Sequence, residues 1–138
     1  MKFQYTTSLS YNTKGKLTKR PLVELELIGK SQNVNAIGLI DSGADTTLMN
    51  IGYAIILGLD LDRAQKKEFL GIGNSRITSY IADLTMKVKY FDAPITSRVA
   101  FTDSPSVDIL LGQEDFFKNF RIKFEKDKDT FDLMLSPK

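Results

Sequence analysis

NAIGLIDSGADTTLMN, residues Asn35–Asn50, runs four small or apolar residues (Ile37, Gly38, Leu39, Ile40) straight into a carboxylate, Asp41. A hydroxyl, a glycine and an alanine follow it. An apolar strand that ends on an acid carries that acid toward the interior, where a lone charge is costly unless it finds a partner. The plain reading is that Asp41 caps a turn and Gly43 supplies its awkward dihedral. A second reading is metal-assisted phosphoryl transfer, which also places Asp at strand ends. It needs a further acid close by to hold Mg2+ through oxygen ligands. Position 43 is glycine, so an Asp-x-Asp pair is missing and this reading ranks lower.

Composition narrows the chemistry. The chain has 138 residues, enough for one domain with a real core; we expect a single domain over 1–138, with 1–19 a peripheral N-terminal extension. Apolar residues make up 42% and charged residues 26%, ordinary values for a globular protein. A net charge of +2 is too small to argue for nucleic acid, and Lys14, Lys16, Lys19 and Arg20 read as a solvated segment. There is no cysteine, which removes disulfides, thiol nucleophiles and thiolate metal sites. There is no histidine either, which removes Ser-His and Cys-His systems and the usual zinc catalytic centres. Acid–base work near neutral pH is left to carboxylates, Lys or Tyr. No window approaches the roughly 18 apolar residues of a membrane span, and no signal-peptide run opens the chain. These features favour a soluble protein of the cytoplasm, without membrane or nucleic-acid partners.

Periodicity points to strands nearly everywhere. Phe3, Tyr5, Thr7 and Leu9 alternate, as do Val23, Leu25 and Leu27 against Leu22, Glu24, Glu26 and Ile28. Gly29–Gln32 supplies a turn and Asn33–Ile40 returns as the second strand of a hairpin. Ile51, Ala54, Ile55 and Leu59 space a short helix that Gly58 ends. Lys67–Tyr80 reads as a hairpin with its tip at Gly71, Ile72, Gly73 and Asn74, residues able to bend. Tyr80–Lys89, with Leu84, Met86 and Val88 on one face, and Ile95–Phe101 are strands. Ile109, Leu110 and Leu111 form an apolar run that ends in Gly112. QEDFFKNF, which follows, reads as a helix, with Phe116, Phe117 and Phe120 spaced for packing. RIKF, a charged turn and TFDLML close the chain as a hairpin. Seven or eight strands and two short helices make an all-β domain of barrel or sandwich type.

Peptide hydrolysis without His, Cys or zinc can be done by two carboxylates that share one proton, since like charges about 3 Å apart cannot both ionise. The anion takes a proton from the attacking water while its protonated partner donates to the carbonyl oxygen. This chain has one Asp-Ser-Gly turn and no second copy. A twofold homodimer supplies the other acid, because its interface sets Asp41 of each chain across the axis. No metal or cofactor enters this chemistry.

On these residues the chain resembles the retropepsins, the homodimeric aspartic proteases of retroviruses and their cellular relatives. RPLVELELIGKSQNVNAIGLIDSGADTTLMN, Arg20–Asn50, is similar to the N-terminal half of that family. DILLGQEDFF, Asp108–Phe117, is similar to its second signature, and GIGN falls where the family keeps its glycine-rich flap. The resemblance implies a closed, barrel-like acid-protease fold with a flap hairpin and one or two short helices. It implies that Asp41 is catalytic and that the Ser42 hydroxyl bonds across the dimer axis. Gly43 would admit the substrate backbone, Ala44 and Asp45 would line the channel, and Gly71, Ile72, Gly73 and Asn74 would close over a bound peptide. Ile109, Leu110 and Leu111 remain core residues even within the family.

Two departures stand out. Viral members carry arginine after the glycine of the second signature, paired with the second acid of the first; here Gln113 occupies that place and would bond Asp45 without charge. Arg20 matches an arginine that reaches the equivalent of Asp45 across the dimer, so Arg20, Ser42, Asp45 and Gln113 form the implied dimer brace. The second departure is length: the helix after Asp41 and the C-terminal hairpin are longer than in compact viral enzymes and look more like cellular or bacterial members. Viral dimers interleave their terminal strands; the C-terminal hairpin here either does similar work or folds back on its own chain. The resulting expectation is an aspartic endopeptidase. The competing one is a catalytically silent dimerisation or peptide-binding module, and a third is a protease domain excised from a larger polyprotein, with Met1–Lys19 as a remnant.

Overall fold

The computed structural model describes residues 1–11, 14–70 and 76–138. Its strands in chain order are β1 (Lys2–Gln4), β2 (Thr6–Tyr11), β3 (Leu17–Arg20), β4 (Leu22–Ile28), β5 (Asn33–Ile40), β6 (Thr47–Asn50), β7 (Gln65–Leu70), β8 (Arg76–Val88), β9 (Ile95–Thr102), β10 (Ile109–Leu111), β11 (Phe120–Glu125) and β12 (Thr130–Leu135). One α-helix, α1 (Ile51–Leu57), follows β6 directly. Six strands pair in the order β4-β5-β10-β6-β9-β8, and β8 pairs back onto β4, so the sheet closes into a barrel with β7 outside it. The all-β, barrel-like expectation is met. The count of seven or eight strands is not: twelve lie among the described residues, because the run read over Phe3–Leu9 divides into β1 and β2, and β3, β6 and β10 are segments with too few residues to show a period.

The alternation read along β4 is the alternation observed. Val23, Leu25 and Leu27 are buried, while Glu24 is exposed. Leu84, Met86 and Val88 on β8 face the same interior. The Gly29–Gln32 turn joins Ile28 to its partner Asn33, and the N–H groups of Lys30 and Ser31 both donate to Leu57 O at the end of α1. Asn50 caps α1 by accepting from Gly52 N at 2.9 Å. Gly58 ends it at φ 75°, where an added Cβ would lie 2.1 Å from Ser31 Oγ. The inward face of α1 differs from the expected one: Ala54 and Leu57 are buried, whereas Ile55 is 72% exposed. A seven-residue helix rotates about 100° per residue, so the pair three apart that meets the barrel sets its roll, and Ile55 falls outside that stripe.

Tyr53 OH donates to Asp108 Oδ1 at 2.6 Å, tying α1 to the chain just before β10. Burial, and then the bond to the Asp108 carboxylate, push the Tyr53 phenol up from 10.0 to about 12. A raised folded value favours the neutral phenol, so this contribution is complete below about pH 10 and disappears as pH rises through about 12. Tyr53→Phe should cost about 1 kcal/mol at neutral pH and flatten the loss of stability between about pH 9 and about pH 12, checked by urea unfolding.

The C-terminal hairpin folds back on its own chain. β12 pairs with β11 on one side and with β1 on the other, Phe3 opposite Phe131, so both of its edges are occupied. The Met1 amine donates to Leu133 O at 2.6 Å, and Leu133 N donates to Met1 O at 2.9 Å. Aromatic rings weld this small sheet to the barrel. Phe3 stacks on Phe131 at 5.3 Å, Phe91 meets Phe120 edge-on at 5.2 Å, and Phe120 meets Phe116 at 5.0 Å. At the β11–β12 turn, Lys128 and Lys126 hold the Glu125 and Asp129 carboxylates below the usual range, through hydrogen bonds first and charge second for Glu125. Asp129 O accepts from Tyr5 N at 2.7 Å and its side chain reaches Lys19 at 4.0 Å. Depressed carboxylates stabilise above their unfolded values and lose that contribution as pH falls through the folded ones. The Tm of the wild type should therefore drop further between about pH 5 and about pH 3 than that of a Glu125→Gln/Asp129→Asn double variant.

Candidate active site

β5 delivers Asp41 to the end of the barrel, and the following loop must cross β10 before returning as β6. β10 lies between those two strands, parallel to β5 (Leu111 beside Ile40) and antiparallel to β6 (Leu110 beside Leu48). The crossing explains the sharp turn after the acid. Asp41 N donates to Leu111 O at 2.9 Å and Ala44 N donates to Asp41 O at 3.2 Å. Asp41 Oδ1 accepts from Gly43 N at 2.9 Å. The residue is half-buried, and among the described residues its other carboxylate oxygen has no partner.

The segment that leaves β10 grips this loop bond by bond. Gly112 N donates to Thr47 Oγ1 at 3.1 Å inside the core. Gln113 N donates to Ala44 O and Glu114 N to Asp45 O, each at 2.8 Å. Gln113 Nε2 donates to Ser42 O at 2.8 Å. Five bonds, counting the one from Asp41 N to Leu111 O, thus run between Leu111–Glu114 and Asp41–Thr47. Two expectations are corrected here. Gln113, read as a partner for the Asp45 side chain, bonds the Ser42 carbonyl instead. QEDFFKNF is not a regular helix: Glu114 is extended (ψ 129°) and Asp115 sits at φ 66°. The irregularity falls at Glu114 and Asp115, where Glu114 N bonds Asp45 O and the Asp115 side chain reaches across to β9. Asp115 is held by its own Oδ2, which accepts from Arg98 N at 2.6 Å.

Phe116 and Phe120 are buried and Phe117 is half-buried, so their packing role stands. Ile109 and Leu111 are core. Ser42, Gly43 and Asp45 are exposed and Ala44 is half-buried on the loop; Arg20 is exposed one residue before Pro21, whose carbonyl accepts from Ile40 N at 3.1 Å. Arg20, Ser42, Gly43, Ala44, Asp45 and Gln113 thus gather at one end of the barrel, around Asp41. Gly71, Ile72, Gly73 and Asn74 lie outside the described residues. The strands on either side of them, β7 and β8, pair with each other up to Leu70 and Arg76.

Thr47 and Gly112 were missed in the sequence. Thr47 is fully buried and its hydroxyl is the anchor for Gly112 N. A polar residue at an inward strand position two residues past the Asp41–Asp45 turn was the available signal. Among the described residues no three His, Cys, Asp or Glu side chains gather as metal ligands would. No helix among them is long and apolar enough to cross a membrane.

No protein-family model matches the chain, and no curated protein matches it by sequence. Solved structures do. EIAV protease in complex with the inhibitor HBY-793 superposes with a TM-score of 0.49 at 24% identity, over 75% of this chain and 88% of that one. A retropepsin-like aspartic protease from Rickettsia conorii superposes with a TM-score of 0.63 at 14% identity, over 97% of this chain and 98% of that one. With its six-stranded closed barrel and the Asp41 loop crossing β10, the chain has the retropepsin-like fold.

Proposed function

We propose that the chain is an aspartic endopeptidase, active as a homodimer in which two Asp41 carboxylates activate one water. The observation that carries this reading is the state of Asp41. Five bonds hold the loop that bears it, yet among the described residues its carboxylate is engaged through Oδ1 alone, by the next residue but one. One oxygen closes the turn locally, and the other has no partner among the described residues, which leaves it for a reacting group.

In the proposed reaction the anionic Asp41 takes a proton from the water as its oxygen bonds to the peptide carbonyl carbon. The protonated Asp41 of the partner chain donates to the carbonyl oxygen. Collapse of the tetrahedral intermediate breaks the C–N bond, with a proton passing to the leaving nitrogen. Ser42, Arg20 and Asp45, exposed around Asp41, are the groups available to brace the two loops across the axis. Since β12 has both edges occupied within its own chain, this dimer relies on those loops more than on interleaved termini. Ala44 and Asp45 would line the peptide channel and Gly71–Asn74 would cover it. An extended peptide would bind by main-chain bonds, with side-chain pockets selecting apolar residues at the cleaved bond.

The test is incubation with unfolded polypeptide from about pH 4 to about pH 7, with and without a statine-type inhibitor. Inhibitor-sensitive cleavage strongest at acid pH is the expected result. Peptide binding without cleavage at any pH would replace the enzyme with a peptide-binding module.

A further inference from the structure

The peptide unit between Ser42 and Gly43 is bonded at both ends. Its oxygen accepts from Gln113 Nε2 at 2.8 Å, and its N–H donates to Asp41 Oδ1 at 2.9 Å. A peptide is planar and resists rotation about its C–N bond, so the directions of its C=O and N–H are tied together. A donor engaged at the oxygen also polarises the unit and strengthens the N–H at its other end.

We infer that Gln113 is a positioning residue for Asp41. Through this one rigid peptide, its side-chain amide sets the direction and donor strength of the N–H that holds the acid. The kinetic consequence rests on the proposed role of Asp41; the geometric one does not.

Three features make the relay separable from the general integrity of the loop. The backbone N–H of Gln113 has its own acceptor, Ala44 O, so a change of side chain leaves that anchor in place. The bonds Asp41 N to Leu111 O, Glu114 N to Asp45 O and Gly112 N to Thr47 Oγ1 also involve no Gln113 side-chain atom. Gln113 is itself exposed, so no core packing is lost with it. A neutral amide suits the task, because it donates at every pH and adds no charge beside the acid.

The experiment follows the Gly43 amide by 1H–15N NMR in full-length wild type, Gln113→Met, Gln113→Glu and Gln113→Arg, alongside steady-state kinetics on an unfolded polypeptide. Methionine and glutamate keep the length of the side chain and remove its N–H; arginine restores a donor. In the first two variants the Gly43 proton should move upfield and exchange faster, with the Asp41 and Thr47 amides unmoved. kcat should fall about tenfold with KM held within about twofold, and arginine should recover most of both signals. An unchanged Gly43 amide in Gln113→Met overturns the relay whatever the activity does. So does a loss that spreads over every loop amide, or one that arginine does not recover. If the wild type cleaves nothing, yet the Gly43 amide moves in the methionine and glutamate variants and returns with arginine, the relay stands and the protease reading falls.

Discussion

Asp41→Asn should lower peptide-bond cleavage by roughly a thousandfold or more while leaving the fold intact. Asparagine has the same shape, and its Oδ1 can still accept from Gly43 N, so the loop keeps the bond now made by Asp41 Oδ1. What disappears is proton transfer, and in a homodimer it disappears from both halves of the pair at once. Mixing separates this reading from catalysis by single chains. A tenfold excess of Asp41→Asn chains should draw nearly all wild-type chains into mixed dimers and cut wild-type activity to about one-tenth. Activity unaffected by the excess would mean that Asp41 works without its copy. Residual cleavage by the pure variant at wild-type level would remove Asp41 from the mechanism altogether.

The second large effect belongs to a residue with no functional group. In Gly112→Ala the added Cβ would lie 2.7 Å from Ala44 O and 2.7 Å from both Thr46 C and Thr46 O. All three are backbone atoms of the Asp41 loop, so none can swing aside as a side chain would. Conformational freedom is not the issue, since Gly112 has φ −106°, which any residue adopts. The requirement is space where the loop crosses the end of β10. Overpacking of this kind should cost about 2–3 kcal/mol, read from urea unfolding. The fraction that stays folded should also lose activity, because relieving the clash moves the loop that carries Asp41. Gly43→Ala is the contrast: among the described residues its Cβ would meet only Asp41 Oδ1, at 3.3 Å, so stability should change by less than about 1 kcal/mol. Equal stability of Gly112→Ala and wild type would refute the close crossing.

Much of this architecture was legible in the amino-acid order. The alternation of Val23, Leu25 and Leu27 and of Leu84, Met86 and Val88 records which side of each strand leaves water, and that record is local. Gly58 after a short apolar run marked the end of α1, since a left-handed cap has few alternatives. Asp41 at the end of an apolar strand, in a chain without histidine or cysteine, was enough to nominate the acid and its chemistry.

The hairpins β4–β5, β7–β8 and β11–β12 were legible from their intervening turns, but pairings between strands distant in the chain were not. Nothing within Ile109–Leu111 says that it slides between β5 and β6, and that insertion is why the Asp41 loop turns sharply and why Gly112 has no room for a Cβ. Gln113 suggested a partner for Asp45 by analogy of position. It bonds Ser42 O, beside the backbone bonds from Gln113 N to Ala44 O and from Glu114 N to Asp45 O that seat the turn after β10 on the loop. β12 is flanked by β1 and β11 of its own chain, a choice among edges that its alternating pattern leaves open. Side-chain pattern along a strand encodes burial, which each residue settles with the solvent. Pairing between strands is made by backbone groups that every residue carries alike, so where no short turn joins two strands, only the closed tertiary structure selects among partners.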